Sequence, residues 1–222
     1  MRKVTNLMAI TILFPIYAFA EIDTILPGLN IIPSKGNINQ FFEEEKLKGY
    51  QENNFNNAKF LLNFKSHAKQ EIIENKTNEY GSYDTHLKKN YSEIKLAFKF
   101  NGLKGIDESK ILGYAAIGSY VKDEKRDGWN GLKVFFDEPS IGTCSYAYNE
   151  FYGAQLYEEF IEYSVNNKPT QTLIEGNQTN GFLYVVEWFS NKEVFTLECA
   201  NKEFDKNFIN TMIRLGKMID KN

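Results

Sequence analysis

The apolar positions of this chain alternate most clearly over residues 181–200. In 181–189, Phe182, Tyr184, Val186 and Trp188 share one side, and Leu183, Val185, Glu187 and Phe189 share the other, because strand side chains alternate with a period of two. Ser190, Asn191, Lys192 and Glu193 interrupt the run, and 194–200 resumes it with Phe195, Leu197 and Cys199 on a common side. Two β-rich runs around a short polar turn predict a hairpin. Bulky apolar groups on both sides place that hairpin in a central, covered part of a sheet.

Weaker patterns fill in the rest. Ile94, Leu96, Phe98 and Phe100 alternate with Glu93, Lys95, Ala97 and Lys99, which predicts a half-buried strand; Asn101-Gly102 then signals a turn. Residues 112–121, 132–136 and 141–148 read as further strands. Segment 151–165 suits either state: Leu156, Phe160 and Tyr163 have helical spacing, while Gly153 and the density of aromatic residues oppose a helix. Phe204, Phe208, Met212, Leu215 and Ile219 recur at intervals of three and four, predicting an amphipathic helix over 203–220 with Asn201 or Asp205 as its cap. Toward the N-terminus, 21–36 is an extended lead-in broken by Pro27-Gly28 and Pro33. Segment 37–78 is lysine- and glutamate-rich, with helices predicted near 39–50 and 57–74. The second carries Phe60, Leu61, Phe64, Ala68, Ile72 and Ile73 on one stripe. The fold class is α+β: a single domain, 37–222, with a mainly antiparallel sheet over 92–200. An N-terminal helical segment (37–78) and the C-terminal amphipathic helix cover that sheet.

The first twenty residues change the picture. Arg2 and Lys3 precede an almost uninterrupted apolar run, 7–20, that ends in Ala18-Phe19-Ala20. That order reads as a signal peptide cleaved before Glu21. As a helix the run reaches only ~21 Å, short of a hydrocarbon core of ~30 Å. Export to the periplasm or the extracellular space of a bacterium follows as an expectation, with no stable membrane insertion after cleavage. Removing the first 20 of 222 residues leaves 202 and moves the net charge from −3 to −5, because Arg2 and Lys3 are lost. An acidic chain lacks the basic footprint that nucleic acid requires. The chain holds three arginines against 24 asparagines, usage that reflects an AT-rich genome more than a chemistry. Cys144 and Cys199 are its two cysteines. Both lie in strand-like sequence downstream of the leader, so a disulfide between them is expected.

Catalytic signatures are sparse. His67 and His86 are the two histidines; Asp84 and His86 make only a two-residue match to a metal site, and no cofactor is expected. A Cys144–His86 dyad competes with the disulfide, and Ser119 lacks the glycine pattern of a nucleophile elbow. Two carboxylates suffice for glycoside hydrolysis, and 29 acidic residues leave that chemistry open. The one compositional excess is aromatic. Tyr146, Tyr148, Tyr152 and Tyr157 form a candidate ligand surface, since aromatic rings offer rigid, amphipathic stacking area. The leading expectation is a non-enzymatic binding or interaction module for a small molecule, a glycan or a protein. The alternative is a secreted hydrolase using carboxylates.

Overall fold

The computed structural model describes residues 29–32, 47–52, 57–65, 77–78, 81–82, 87–150, 154–157 and 161–220. Strands dominate. They are β1 (Leu29–Ile32), β2 (Gln51–Glu52), β3 (Thr77–Asn78), β4 (Gly81–Ser82), β5 (Ile111–Lys122), β6 (Asp127–Glu138) and β7 (Gly142–Glu150), then β8 (Ala154–Tyr157), β9 (Ile161–Val165), β10 (Lys168–Asn177), β11 (Gly181–Phe189) and β12 (Glu193–Asn201). Two α-helices accompany them among the described residues, α1 (Asn57–Leu62) and α2 (Phe208–Ile219).

One eight-stranded sheet organises the molecule. Two antiparallel meanders, β5–β6–β7 and β9–β10–β11–β12, lie side by side and are joined where β7 pairs with β12. The outer edge of β10 is shared between β9 and the short β2, which runs parallel to it. The hairpin expected at 181–200 is β11–β12, in register from Phe182↔Asn201 to Phe189↔Val194. Asn166 and Asn167, both at positive φ, make the two-residue turn between β9 and β10, the backbone that a primed hairpin turn demands. Cys144 and Cys199 face each other across the β7–β12 seam and are bonded, with Cα atoms 4.0 Å apart. That is the close spacing of a non-hydrogen-bonded antiparallel pair.

One face of the sheet forms the main core. Phe182, Tyr184, Val186 and Trp188 of β11 are fully buried there, with Leu197 and Cys199 of β12 and Leu132, Val134 and Phe136 of β6. Helix α2 closes it with Ile209, Met212, Ile213, Leu215 and Ile219. Each such side chain contributes roughly 1.5–3 kcal/mol of transfer free energy. Asp205 accepts from the Asn207 backbone N–H (2.9 Å) at the start of α2. At its end the buried Asp220 accepts from the Trp188 indole (3.0 Å), from Asn166 Nδ2 (3.1 Å) and from Lys168. The helix end, the β9–β10 turn and the central tryptophan are thus tied at one carboxylate. This satisfies the indole N–H that burial would otherwise leave costly.

The N-terminal helical segment expected over 37–78 lies mostly outside the described residues. Those described carry helical backbone at 47–48, in α1 and at 64–65, together with the strand pieces β2 and β3. Gly49 at φ +78° stops the earlier helical turn, a backbone conformation that L side chains resist, and the chain then enters β2. The remainder of the 57–74 stripe lies outside the described residues. The alternating segment 93–100 is not a sheet strand. A 3-10 turn, Tyr91–Glu93, is capped at Asn90, and the following stretch touches the sheet backbone through one parallel bridge, Leu96–Trp129. Its apolar residues still bury: Ile94 enters the core, and Phe98 packs 4.3 Å from the Tyr148 ring. The described residues of 151–165 are strands β8 and β9, with Leu156 buried against Phe189. Residues 168–177, which carry no clear period, form β10.

Candidate functional site

The opposite face of the sheet has a different composition. The strand period puts Gln171 of β10, Glu187 of β11, Thr196 of β12, Ala147 of β7 and Lys133 of β6 in one cross-strand row. In the next row Glu198 of β12 faces Ser145 of β7. These side chains bond to one another. Gln171 Nε2 donates to Glu187 Oε2 (2.6 Å) and Thr196 Oγ1 to Glu187 Oε1 (2.9 Å). Lys133 Nζ donates to Glu198 Oε2 (2.7 Å), and Ser145 Oγ donates to the same oxygen (2.9 Å). A polar strip therefore crosses five strands in the middle of the face, with the small Ala147 between its two halves.

Apolar clusters close the strip at both ends. On one side Ala58, Leu61 and Phe64, from α1 and the residues after it, pack on Phe135, Leu183 and Ala200. Phe64 stacks on Phe135 with ring centres 4.1 Å apart, and Lys65 pairs with Asp137 at 2.8 Å. On the other side Leu156 of β8 covers Phe189, with Ile161 and Val194 beside it. Between these clusters the Lys133 and Glu198 side chains keep 27 and 25 % of their exposure. Burial by itself would push the Glu198 carboxyl up. The Lys133 charge and the hydrogen bonds from Lys133 and Ser145 outweigh it and hold the group below the ordinary glutamate value. The strip presents two carboxyl groups, an ammonium, an amide and the Thr196 hydroxyl in a half-open setting, with the Ser145 hydroxyl fully buried beneath them; polar interactions there are screened less than in bulk water.

The tyrosines expected to form a ligand surface sit elsewhere. Tyr146 is 6 % exposed, on the core face beside Trp188. Burial, followed by the nearby Asp220 charge, drives its phenol far up, so it stays protonated. Tyr148 is half-buried between Phe98 and Phe195, and its hydroxyl donates to Glu193 Oε1 at 3.2 Å. Burial, then the charges of Glu193 and Glu150, also raise it. Tyr152 lies outside the described residues. The backbone of Tyr157 belongs to β8 and its side chain lies outside them, as do His67, His86 and Asp84. The strip residues escaped the sequence reading because only the strand register brings them together. The available signal was Glu187, a charge inside an otherwise apolar strand.

A concavity of about 380 Å³ lies away from the strip, between β2 and the β10–β11 turn, lined by Tyr50, Glu52 and residues 177–180. Its polar groups serve local structure: Asn177 Oδ1 accepts from the Thr179 and Asn180 backbones, and Lys48 holds Glu52 ionised. Among the described residues no group of three or more His, Cys, Asp or Glu side chains could hold a metal ion. No helix among them is long and apolar enough to cross a membrane. No family model, no curated protein and no solved structure matches the chain.

Proposed function

We propose that this chain is an exported, non-enzymatic binding module that engages a polar partner along the strip formed by Gln171, Glu187, Thr196, Lys133 and Glu198, with the buried Ser145 holding Glu198 from beneath. The observation that carries the reading is the state of Glu198. An acid catalyst in glycoside hydrolysis needs a carboxyl raised toward neutrality, and Lys133 and Ser145 push Glu198 the opposite way. A carboxylate held ionised beside an ammonium, on a half-exposed face, suits recognition. Such groups fix the orientation of a partner and need no reorganisation when it arrives. Export is supported by the leader-like residues 1–20 and by the cystine, which persists in oxidising compartments.

Thermal melts against acidic and basic peptides and charged oligosaccharides test the binding reading, since a ligand of the native state raises the midpoint. The expected result is a stabilising partner whose effect disappears in Lys133→Met and in Thr196→Val. A partner that stabilises both variants as much as the wild type removes the strip from the site. Release of product from that partner replaces the binding reading with the hydrolase. Intact mass of material from the producing cell tests export, and a chain retaining Met1 in the cytoplasm would overturn it.

A further inference from the structure

A separate feature sits at the far end of the β5–β6 hairpin. The ladder slips by one residue between Ile117 and Tyr120, a bulge that turns the strand and re-aims its side chains. Gly118 makes the bulge at φ +75°, where a Cβ would lie 2.2 Å from Asn130 Oδ1; that oxygen accepts from the Ser119 backbone at 2.7 Å. Beyond the bulge, Tyr120 projects with 47 % of its surface exposed. An exposed tyrosine on a hairpin end is ordinarily free to rotate. This one is held at both ends: its ring meets Trp129 edge-on, with centroids 5.7 Å apart, and its hydroxyl donates to Asp127 Oδ1 at 2.7 Å. Asp127 is held in turn by Lys95.

The turn beneath is equally fixed. Asp123 Oδ1 accepts from the Lys125 and Arg126 backbones, and the Arg126 guanidinium spans Asp123 and Glu150. Lys95 and Asp127 keep 59 and 44 % of their side-chain exposure, so both can also bond outward. The hydrogen bond from Tyr120, after the stronger one from Lys95, keeps Asp127 ionised, and the bond to Asp127 keeps the phenol protonated.

We infer that Tyr120, with Trp129, Asp127 and Lys95 around it, is a carbohydrate subsite that takes one pyranose ring of a neutral glycan. The exposed part of the tyrosine ring accepts the C–H face of the sugar. Asp127 and Lys95 stand at its rim as acceptor and donor for neighbouring ring hydroxyls. The two are paired with each other, so hydroxyl groups that both accept and donate suit them. Because the ring is already immobilised, stacking costs little further rotamer entropy. The subsite does not depend on the polar strip, and the two separate by mutation.

The wild-type protein provides its own reporter, because its two tryptophans are Trp129 in the subsite and Trp188 in the core. In a proton–nitrogen NMR titration, chitotetraose, cellotetraose and maltotetraose are added to about 10 mM, roughly tenfold above a Kd of ~1 mM. At least one of them should move the Trp129 indole resonance in a saturable way and leave that of Trp188 in place. Tyr120→Ala should weaken that binding at least tenfold. Tyr120→Phe, which keeps the ring and loses the anchoring hydroxyl, should fall between, and Lys133→Met should bind as the wild type does. No movement of Trp129 with any of the three sugars overturns the subsite, and so does full-strength binding by Tyr120→Ala.

Discussion

The two faces of the sheet are built from the same strands by opposite rules. The face under α2 is continuous and dry: Trp188 stacks parallel to Phe195 (5.6 Å, 9°), and the neighbouring side chains are fully buried. Its one deep carboxylate, Asp220, takes hydrogen bonds from three donors. The other face is interrupted, with apolar clusters at its ends and ionised groups across its middle. A sheet needs only one dry face for stability. The second can carry chemistry where its polar groups satisfy one another, as those of the strip do.

The largest expected effect tests the dry face. Trp188→Ala should cost at least about 3–5 kcal/mol, because it combines lost transfer energy and a cavity with an abandoned donor to Asp220. An unchanged urea midpoint would mean that the face is not the main core. Next comes the seam. Replacing Cys144 and Cys199 by alanine should lower stability by up to about 4 kcal/mol, the chain-entropy value for a loop of this length. Urea unfolding of oxidised and reduced wild type should show a similar gap. A gap near zero would mean that the β7–β12 ladder holds without the cystine.

Effects on the open face should be smaller. Phe64→Ala removes the ring stacked on Phe135 and should cost about 2–3 kcal/mol, near the low end for a buried phenylalanine because a six-residue helix at the rim can relax. A loss equal to that of Trp188→Ala would erase the distinction between the faces. The smallest effect belongs to Glu198→Gln, about 1–2 kcal/mol at pH 7, since the partner ammonium keeps partial access to water. The sign in pH is fixed by the lowered carboxyl. Its contribution is complete above the unfolded glutamate value, about 4.3, and is lost as pH falls through the lower folded value. The stability difference between wild type and Glu198→Gln should therefore be flat from pH 7 to about 5 and shrink below ~4. A difference that grows in acid contradicts the assigned ion pair.

The dry face was legible in the sequence because it depends on short-range periodicity. Phe182, Tyr184, Val186 and Trp188 declare it by alternation, and the spacing of Met212, Leu215 and Ile219 supplies its cover. Alternation records one-sided burial and says nothing of hydrogen-bond partners. That is why 93–100 reads as a strand yet lies against the core as an isolated extended segment. β10 was not legible, since Pro169, Thr170, Gln171 and Thr172 resemble a loop until β9 and β11 flank them; Thr170 is fully buried and its hydroxyl accepts from the Val165 backbone. The polar strip was the least accessible. Lys133 and Glu198 stand 65 residues apart, and only the register of three strands makes them neighbours.

The seam between the meanders also bears on how the protein would survive a protease. Cys144 precedes the connection 151–160 and Cys199 follows it, so a single cut in that connection yields two pieces that stay covalently attached. Each piece is a self-paired meander, and the β7–β12 ladder continues to align them. A nicked molecule should migrate as one species until it is reduced and as two afterwards, and it should keep its fold in between. For a protein read as working outside the cytoplasm, a broken backbone at this crossing need not mean a broken molecule.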